Sequence, residues 1–457
     1  MRILVLASGR SPFGGVERDF PEICVSHEAP DTNYDLVVRW GVSDGSFDCL
    51  RVLNRSAALA NVSTSGSISR ILGINGLTYH RRRQNTKVQR YRAYILDAQL
   101  LFLGRRVKKR YGFIEVSNRE TKLMRKVIET ATTSVHVLGL DFACVDLVAL
   151  SSRQVEVMRV QVAPNLDRRV AARFLTTLRE IARNPTGRTG GELTLGADPE
   201  FMLRDSNTKR MLPASRFFPI DGRVGCDART VSSHNHQRPL AELRPDPDVC
   251  PIRLTRNMRQ LMQNALRLVP YRNVQWWAGS MPFRGFPIGG HVHFGGIRPS
   301  EPLLRALDSY LAVPIMLLED QRSATRRRPR YGFLGDFRLQ PYGGFEYRVA
   351  ASWLVSPRLS QAALALSKVV VHHFTELGRD LFLDPDLQVA FYSGRKEALY
   401  NLFPSLWAEL SATSTFSAYA DELQIIEEMV TKRQRWNERA DIRRAWHLPI
   451  PKRQFRA

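Results

Sequence analysis

The sequence is poor in cysteine. Five occur in 457 residues, Cys24, Cys49, Cys144, Cys226 and Cys250, odd in number and without a CxxC pair. That excludes a disulfide framework and a thiolate zinc cluster, and points to a reducing cytosol. Long apolar runs are missing too: no stretch approaches the ~20 residues that cross a bilayer. The opening Met1-Arg-Ile-Leu-Val-Leu-Ala is too brief for a secretory leader and reads as a first strand. Acidic residues are in deficit, 44 Asp and Glu against 67 Lys and Arg, for a net charge of +23. Such an excess suits nucleic acid or small polyanions such as ATP. It is not gathered in one tail or stripe: residues 51–100 and 251–300 are strongly basic, while residues 1–50 are net acidic. No nucleic-acid recognition motif accompanies it, so nucleic acid is possible but not favoured.

What is present describes a folded chain long enough for two or three domains. An apolar content of 44% with 24% charged residues excludes disorder. Residues 1–183 alternate strands and helices. The pattern predicts a helix over 55–73, a hairpin of 88–96 with 97–106, a helix within 118–138, strands at 142–149 and 155–162, and a helix over 168–182. Asn184-Pro-Thr-Gly-Arg-Thr-Gly-Gly, residues 184–191, reads as a linker. Residues 192–431 form a second domain. Its helices are expected at 252–269, 301–318, 357–382, 394–401, 403–411 and 420–431, with a basic loop at 322–330. The basic tail, 432–457, is expected to be partly ordered at best.

Four segments of the second domain carry two reactive polar side chains at i and i+2: Asp198-Pro-Glu200, Glu242-Leu-Arg244, His291-Val-His293 and Glu346-Tyr-Arg348. Side chains at that spacing on a strand point the same way. Four such strands in one sheet would line one face with carboxylates, imidazoles and guanidiniums. Unpaired buried charge is costly, and a metal with phosphates would offset it. Asp198, Glu200, Glu242 and Glu346 are the hard oxygen ligands that Mg²⁺ or Mn²⁺ prefers, and His291 adds a nitrogen. Arg338, Arg348 and the run from Arg326 to Arg330 suit phosphate oxygens. Glycines beside His291 and His293 let a ligand approach the backbone. A zinc-dependent amide hydrolase is the rival reading of His-x-His. A basic nucleic-acid- or peptide-binding protein with a relict site is a second.

The wording of residues 193–375 resembles the phage-type COOH–NH2 ligases, type 2, an amidoligase branch of the glutamine synthetase and γ-glutamylcysteine synthetase fold. The resemblance lies in Leu-Gly-Ala-Asp198-Pro-Glu200-Phe-Met-Leu, Gly-Cys-Asp227-Ala, Glu242-Leu-Arg244-Pro, Gly-Gly-His291-Val-His293-Phe, Tyr331-Gly with Asp336-Phe-Arg338, and Gly-Phe-Glu346-Tyr-Arg348. It departs from the wider fold's pattern in having Asp198, followed by Pro199, for the first Glu. It implies an α+β chain whose C-terminal antiparallel sheet with helices forms a glutamine synthetase-like catalytic domain. It further implies an ATP-dependent carbon–nitrogen ligase working through an acyl phosphate. Asp198, His291 and Glu346 would then hold metal on ATP, and Glu200 with Glu242 a metal at the acyl phosphate. His293 and Arg330 would contact ATP, and Arg338 and Arg348 would stabilise the transferring phosphoryl group. Asp227 and Arg244 would meet substrate, a small-molecule or peptide carboxylate and amine. No membrane partner is implied, and the location would be cytoplasmic, in the host if the chain is phage-encoded.

Residues 1–183 resemble the C-terminal end of an ATP-grasp domain, through Asp146-Leu-Val and Arg159-Val-Gln161-Val-Ala-Pro164. That family carries Glu-x-Asn where Arg159 and Gln161 stand. An Arg repels Mg²⁺, so this smaller α/β domain is expected to be degenerate and not to use ATP.

Overall fold

The computed structural model describes residues 1–8, 11–28, 33–42, 49–80, 88–107, 112–232, 236–328 and 330–456. The chain is α+β and divides into two compact units. The first comprises Met1–Gly187 with two short later segments, 299–301 and 382–385.

The runs Ile3–Ala7 and Leu36–Trp40 of the first unit are buried throughout, as in a parallel sheet covered on both faces. Strands β1 (Ile3–Ala7), β2 (Ile23–Ser26), β3 (Tyr34–Trp40) and β4 (Cys49–Leu53) pair in the order β2-β1-β3-β4, all parallel. A second, antiparallel sheet runs β7-β6-β5-β8-β9, from β5 (Gln89–Leu96), β6 (Gln99–Arg106), β7 (Phe113–Glu115), β8 (Phe142–Ala149) and β9 (Val155–Gln161). The helix Arg168–Arg183, capped by Asp167, buries Phe174 against Phe13, Trp40 and Phe142. Lys122–Val137 packs on the antiparallel sheet and buries Val127, Ala131 and Val135. Residues 81–87 lie outside the described residues. On β8, Asp146 accepts from Arg92 Nε and Nη2 at 2.7 and 2.9 Å, and Gln161 Nε2 stands 3.5 Å away. Arg159 is exposed. The carboxylate is thus already neutralised by the chain's own guanidinium.

The second unit holds Arg188–Arg298, Pro302–Leu381 and Asp386–Ala457. Its strands are β10 (Thr194–Ala197), β11 (Glu200–Asp205), β12 (Met211–Leu212), β13 (Val224–Cys226), β14 (Leu240–Leu243), β15 (Val274–Trp277), β16 (Val292–Gly295), β17 (Phe337–Leu339) and β18 (Phe345–Tyr347). They form two sheets, where the i, i+2 pattern had implied one. One sheet runs β10-β16-β18-β17. The other runs β12-β11-β14-β13, with β15 also on β11. The break falls at Asp198-Pro199, because proline has no N–H with which to continue a ladder. β10 pairs with β16, and two residues later β11 pairs with β14 and β15.

Helix Pro357–His373 is buried along most of its length and packs against Pro251–Leu268 and Ala420–Thr431. The helical run from Glu301 to Leu318 contains a π-helical turn, Asp308–Ala312. Glu397–Ser411 is continuous through Pro404, and Pro385–Ser393 is a helix that the sequence pattern had not suggested.

Two further expectations need correction. The basic run is not a solvated loop: Gln321–Arg327 is a helix capped by Asp320. Arg327 and Arg328 are 0% and 1% exposed. Arg327 donates to the carbonyls of Ile288, Val349 and Ala350, and Arg328 forms a bidentate pair with buried Glu319. The tail is ordered as well. Trp436, Arg443, Trp446 and Phe455 are buried, and Arg443 caps the carbonyls of Tyr271 and Arg272. In both places internal acceptors replace the water that a charged side chain loses on burial.

Candidate active site

Register builds the site as two rows. In the first sheet, Gly196, His293, Glu346 and Arg338 stand directly opposite one another across β10, β16, β18 and β17. Opposed residues share a face. In the second, Glu200, Glu242 and Gly225 are opposed across β11, β14 and β13. Asp198 stands at the crossing between the sheets, and its N–H reaches the His291 carbonyl at 3.4 Å. The flanking side chains of β18 point to the core: Tyr347 donates to Asp308 at 2.6 Å, and Phe345 packs on Phe294.

The rows are crowded. His291 Nδ1 lies 2.8 Å from Asp198 Oδ1 and 3.3 Å from Glu346 Oε1, and His293 Nε2 lies 3.3 Å from Asp198 Oδ1. None of these contacts is aligned as a hydrogen bond. Asp198 Oδ1, Glu200 Oε1, His291 Nδ1 and His293 Nε2 are buried without a hydrogen-bond partner among the described residues. Ligand atoms of Asp198, His293 and Glu346 all fall within 4.8 Å of one another. Of the two histidines it is thus His293, expected on ATP, that closes this trio, while His291 Nδ1 faces the same two carboxylates.

The electrostatics follow from burial. Burial pushes Glu200 up to about 7, with His291 acting against the shift. Burial and the neighbouring Asp198 raise Glu242. Burial opposes ionisation of Asp198, but His291 and His293 outweigh it and hold the carboxyl well below its usual range. Burial disfavours charge on His291 too, and Asp198, Glu200 and Glu346 reverse that, so the imidazole is raised. Carboxylates this close cannot all ionise without positive charge between them. Orphaned oxygens and imidazole nitrogens in a mostly carboxylate set fit a divalent cation such as Mg²⁺ or Mn²⁺.

Guanidiniums stand on the same side. Arg348 Nε is 2.9 Å from Glu346 Oε1, and Arg338 Nη1 is 3.5 Å from Glu346 Oε2, with the Arg338 side chain 60% exposed. Arg244 instead holds the frame. It donates to Glu242 Oε2 at 2.5 Å and to the carbonyls of Ile220, Gly222 and Cys226. Asp227 is half-buried and accepts from the Arg229 N–H at 2.8 Å. Arg330 is exposed, near Gly285. The room at Gly289 and Gly290 is filled by the protein rather than left for a ligand. A Cβ there would lie 2.1 Å from His291 Nε2 or 2.6 Å from Trp353 Nε1.

Sequence reasoning gave no role to Tyr331, Gln340, Tyr342 or Arg229. Tyr331 bonds His291 and Arg348, and Gln340 Nε2 donates to Glu346 Oε2 at 2.9 Å. Tyr342 OH is 3.3 Å from His293 Nδ1, and the Arg229 guanidinium lies 5.1 Å over the Tyr331 ring. The Tyr331-Gly332 pair was a local signal, since Gly332 has φ +77° and a Cβ there would strike Arg327.

The chain belongs to the phage phiEco32-like COOH.NH2 ligase-type 2 family, which matches residues 195–448, more than half of it. It is therefore an enzyme of the class that joins a carboxylate to an amine. Among solved structures, an ATP-grasp ligase, PsnB, complexed with minimal precursor is similar at 12% identity and a TM-score of 0.28, over 39% of this chain and 98% of that one. The same ligase with precursor peptide PsnA2 and AMPPNP is similar at 13% and 0.29, over 40% and 98%. A novel glutamine synthase homolog is similar at 13% and 0.25, over 56% and 73%. No curated protein matches the chain.

Proposed function

We propose that the second unit uses ATP and divalent cations to activate a carboxylate as an acyl phosphate, which an amine then converts to an amide. One observation carries the reading. Four buried polar atoms, Asp198 Oδ1, Glu200 Oε1, His291 Nδ1 and His293 Nε2, have no aligned hydrogen bond among the described residues, although they crowd within a group of carboxylates. An unsatisfied buried group costs about 1–3 kcal/mol, more if charged, and bound cations with phosphates would remove that cost.

Asp198, Glu346, His291 and His293 would hold a cation at the ATP phosphates, and Glu200 and Glu242 a second near the acyl group. Bound there, such cations would supply positive charge that neutralises charge developing in phosphoryl transfer. Arg348, held by Glu346 and Tyr331, presents a donor of fixed direction to the phosphoryl group. Arg338 and Arg330, more exposed, meet the outer phosphates. The carboxylate oxygen attacks the γ-phosphorus and ADP leaves. The amine, deprotonated to its neutral form, then attacks the acyl carbon through nitrogen, and the leaving phosphate takes up the proton that the nitrogen sheds. Asp227 is assigned to receive the ammonium form of the amine. Substrates of this chemistry are small-molecule or peptide carboxylates and amines. The first unit is assigned to acceptor binding without ATP, because Asp146 is taken by Arg92.

The test is ADP release with Mg²⁺ or Mn²⁺ across amino acids, polyamines and short peptides, with amide product read by mass spectrometry. ADP should appear only when carboxylate and amine are both present. Amide cleavage without ATP would replace the reading with a hydrolase.

A further inference from the structure

Tyr331 touches both sides of the site. Its hydroxyl lies 2.6 Å from His291 Nε2 and accepts from Arg348 Nη2 at 2.7 Å. Its ring sits among three guanidiniums, those of Arg229, Arg327 and Arg348, at 5.1, 5.3 and 5.3 Å from the centroid. Arg327 is in turn fixed by three backbone carbonyls, so the ring rests on a rigid support. The main chain adds to this, since Tyr331 N donates to Arg327 O at 2.9 Å.

We propose that Tyr331 is a positioning residue for cation binding, acting through His291; this rests on the function proposed above. His291 has two ring nitrogens with different surroundings. Nε2 meets the Tyr331 hydroxyl, and Nδ1 faces Asp198 and Glu346. An imidazole offers a lone pair to a cation only at the nitrogen without a proton, and the partner of the other nitrogen sets which one that is. A phenol oxygen has two acceptor sites and one donor. It can therefore take N–H bonds from Arg348 and from His291 Nε2 together, which leaves the Nδ1 lone pair aimed at the carboxylates. The same two bonds keep Arg348 in line with Glu346. One oxygen thus orients an imidazole for a cation and a guanidinium for a phosphoryl group.

Tyr331→Phe removes that oxygen and keeps the ring among the guanidiniums. Mn²⁺ titration of the full chain, by calorimetry or by loss of the free-ion spin resonance signal, should show affinity lower by about 10–100-fold. Phe and wild type should melt within a few degrees of each other without metal. In a His291→Ala background the same Tyr331→Phe change should have no further effect on Mn²⁺ affinity, because its path is gone. Equal affinity of wild type and Tyr331→Phe overturns the inference, as does an equal loss in the His291→Ala background. If wild type itself binds no Mn²⁺, the proposed function fails instead. If Tyr331→Phe does not fold, ¹⁵N NMR of the His291 imidazole in the wild-type protein with Mn²⁺ replaced by diamagnetic Mg²⁺ decides: a proton on Nε2, the nitrogen that meets Tyr331, is expected, and a proton on Nδ1 overturns the assignment.

Discussion

Glu200 and Gly289 bond each other twice. Glu200 N donates to the Gly289 carbonyl at 2.9 Å, and Gly289 N donates to Glu200 Oε2 at 2.6 Å. One residue thus fixes the segment that carries both histidines and still leaves its second oxygen, Oε1, unpaired and buried.

Glu200→Gln keeps both bonds, because the amide oxygen still accepts from Gly289, and removes one negative charge. The Mg²⁺- or Mn²⁺-induced rise in Tm should shrink towards zero and ligation should slow by roughly 10²–10³. Without metal, Tm should stay level or rise, since crowded carboxylates repel. Paired melts with and without metal decide it: equal metal-induced shifts in the two proteins would remove Glu200 from the cation site.

Arg328 and Glu319 form an ion pair with almost no exposed surface, at 3.0 and 2.6 Å. Arg328→Met strands the Glu319 charge and should cost about 3–5 kcal/mol in urea unfolding. Arg326→Ala and Arg330→Ala, both exposed, should stay within about 0.5 kcal/mol. An Arg328→Met protein of normal stability but raised KM for ATP would instead place this run at the phosphates.

Lys396 is buried and donates to the Leu317 and Glu319 carbonyls. Burial lowers its pKa from 10.5 to about 8, although Glu319 acts against the shift. Between those values the unfolded chain holds a proton that the folded chain has shed, so this group makes stability rise with pH, by up to about 1.4 kcal/mol per unit. Below pH 8 both states are protonated and the gain is gone. The difference in unfolding free energy between wild type and Lys396→Met should therefore change across pH 7.5–9.5. A constant difference would mean that Lys396 titrates normally.

Asp146→Asn breaks the pair with Arg92 and should cost about 1–3 kcal/mol of stability. It should leave ATP affinity and stoichiometry of the full chain untouched. A loss of bound ATP on this change would return nucleotide binding to the first unit.

Much of the local structure was legible. The hairpin of β5 and β6, the strands at 142–149 and 155–161 and the helix Arg168–Arg183 follow from apolar period, because each period admits one backbone geometry that buries its apolar side. The i, i+2 pairs were legible for the same reason, and they named the carboxylates and imidazoles that meet. Sequence alone thus named the side chains that gather, although in each pair one member, Asp198, Arg244, His291 or Arg348, lies just outside the strand that carries the other. Tertiary structure decided which strands become neighbours. Pro199 divides one expected sheet into two, and the rows Gly196–His293–Glu346–Arg338 and Glu200–Glu242–Gly225 exist only through pairing across long separations. It decided, too, that Arg327, Arg328 and the tail's Arg443 lie inside. A charge run reads as surface unless acceptors elsewhere compensate its lost hydration, and those acceptors are carbonyls and carboxylates of other elements. Tyr331 is the sharpest case: Gly332 marks the turn, but the partner of its hydroxyl, His291, lies 40 residues away. Local pattern sets the direction of a side chain, whereas its partner depends on the path of the whole chain.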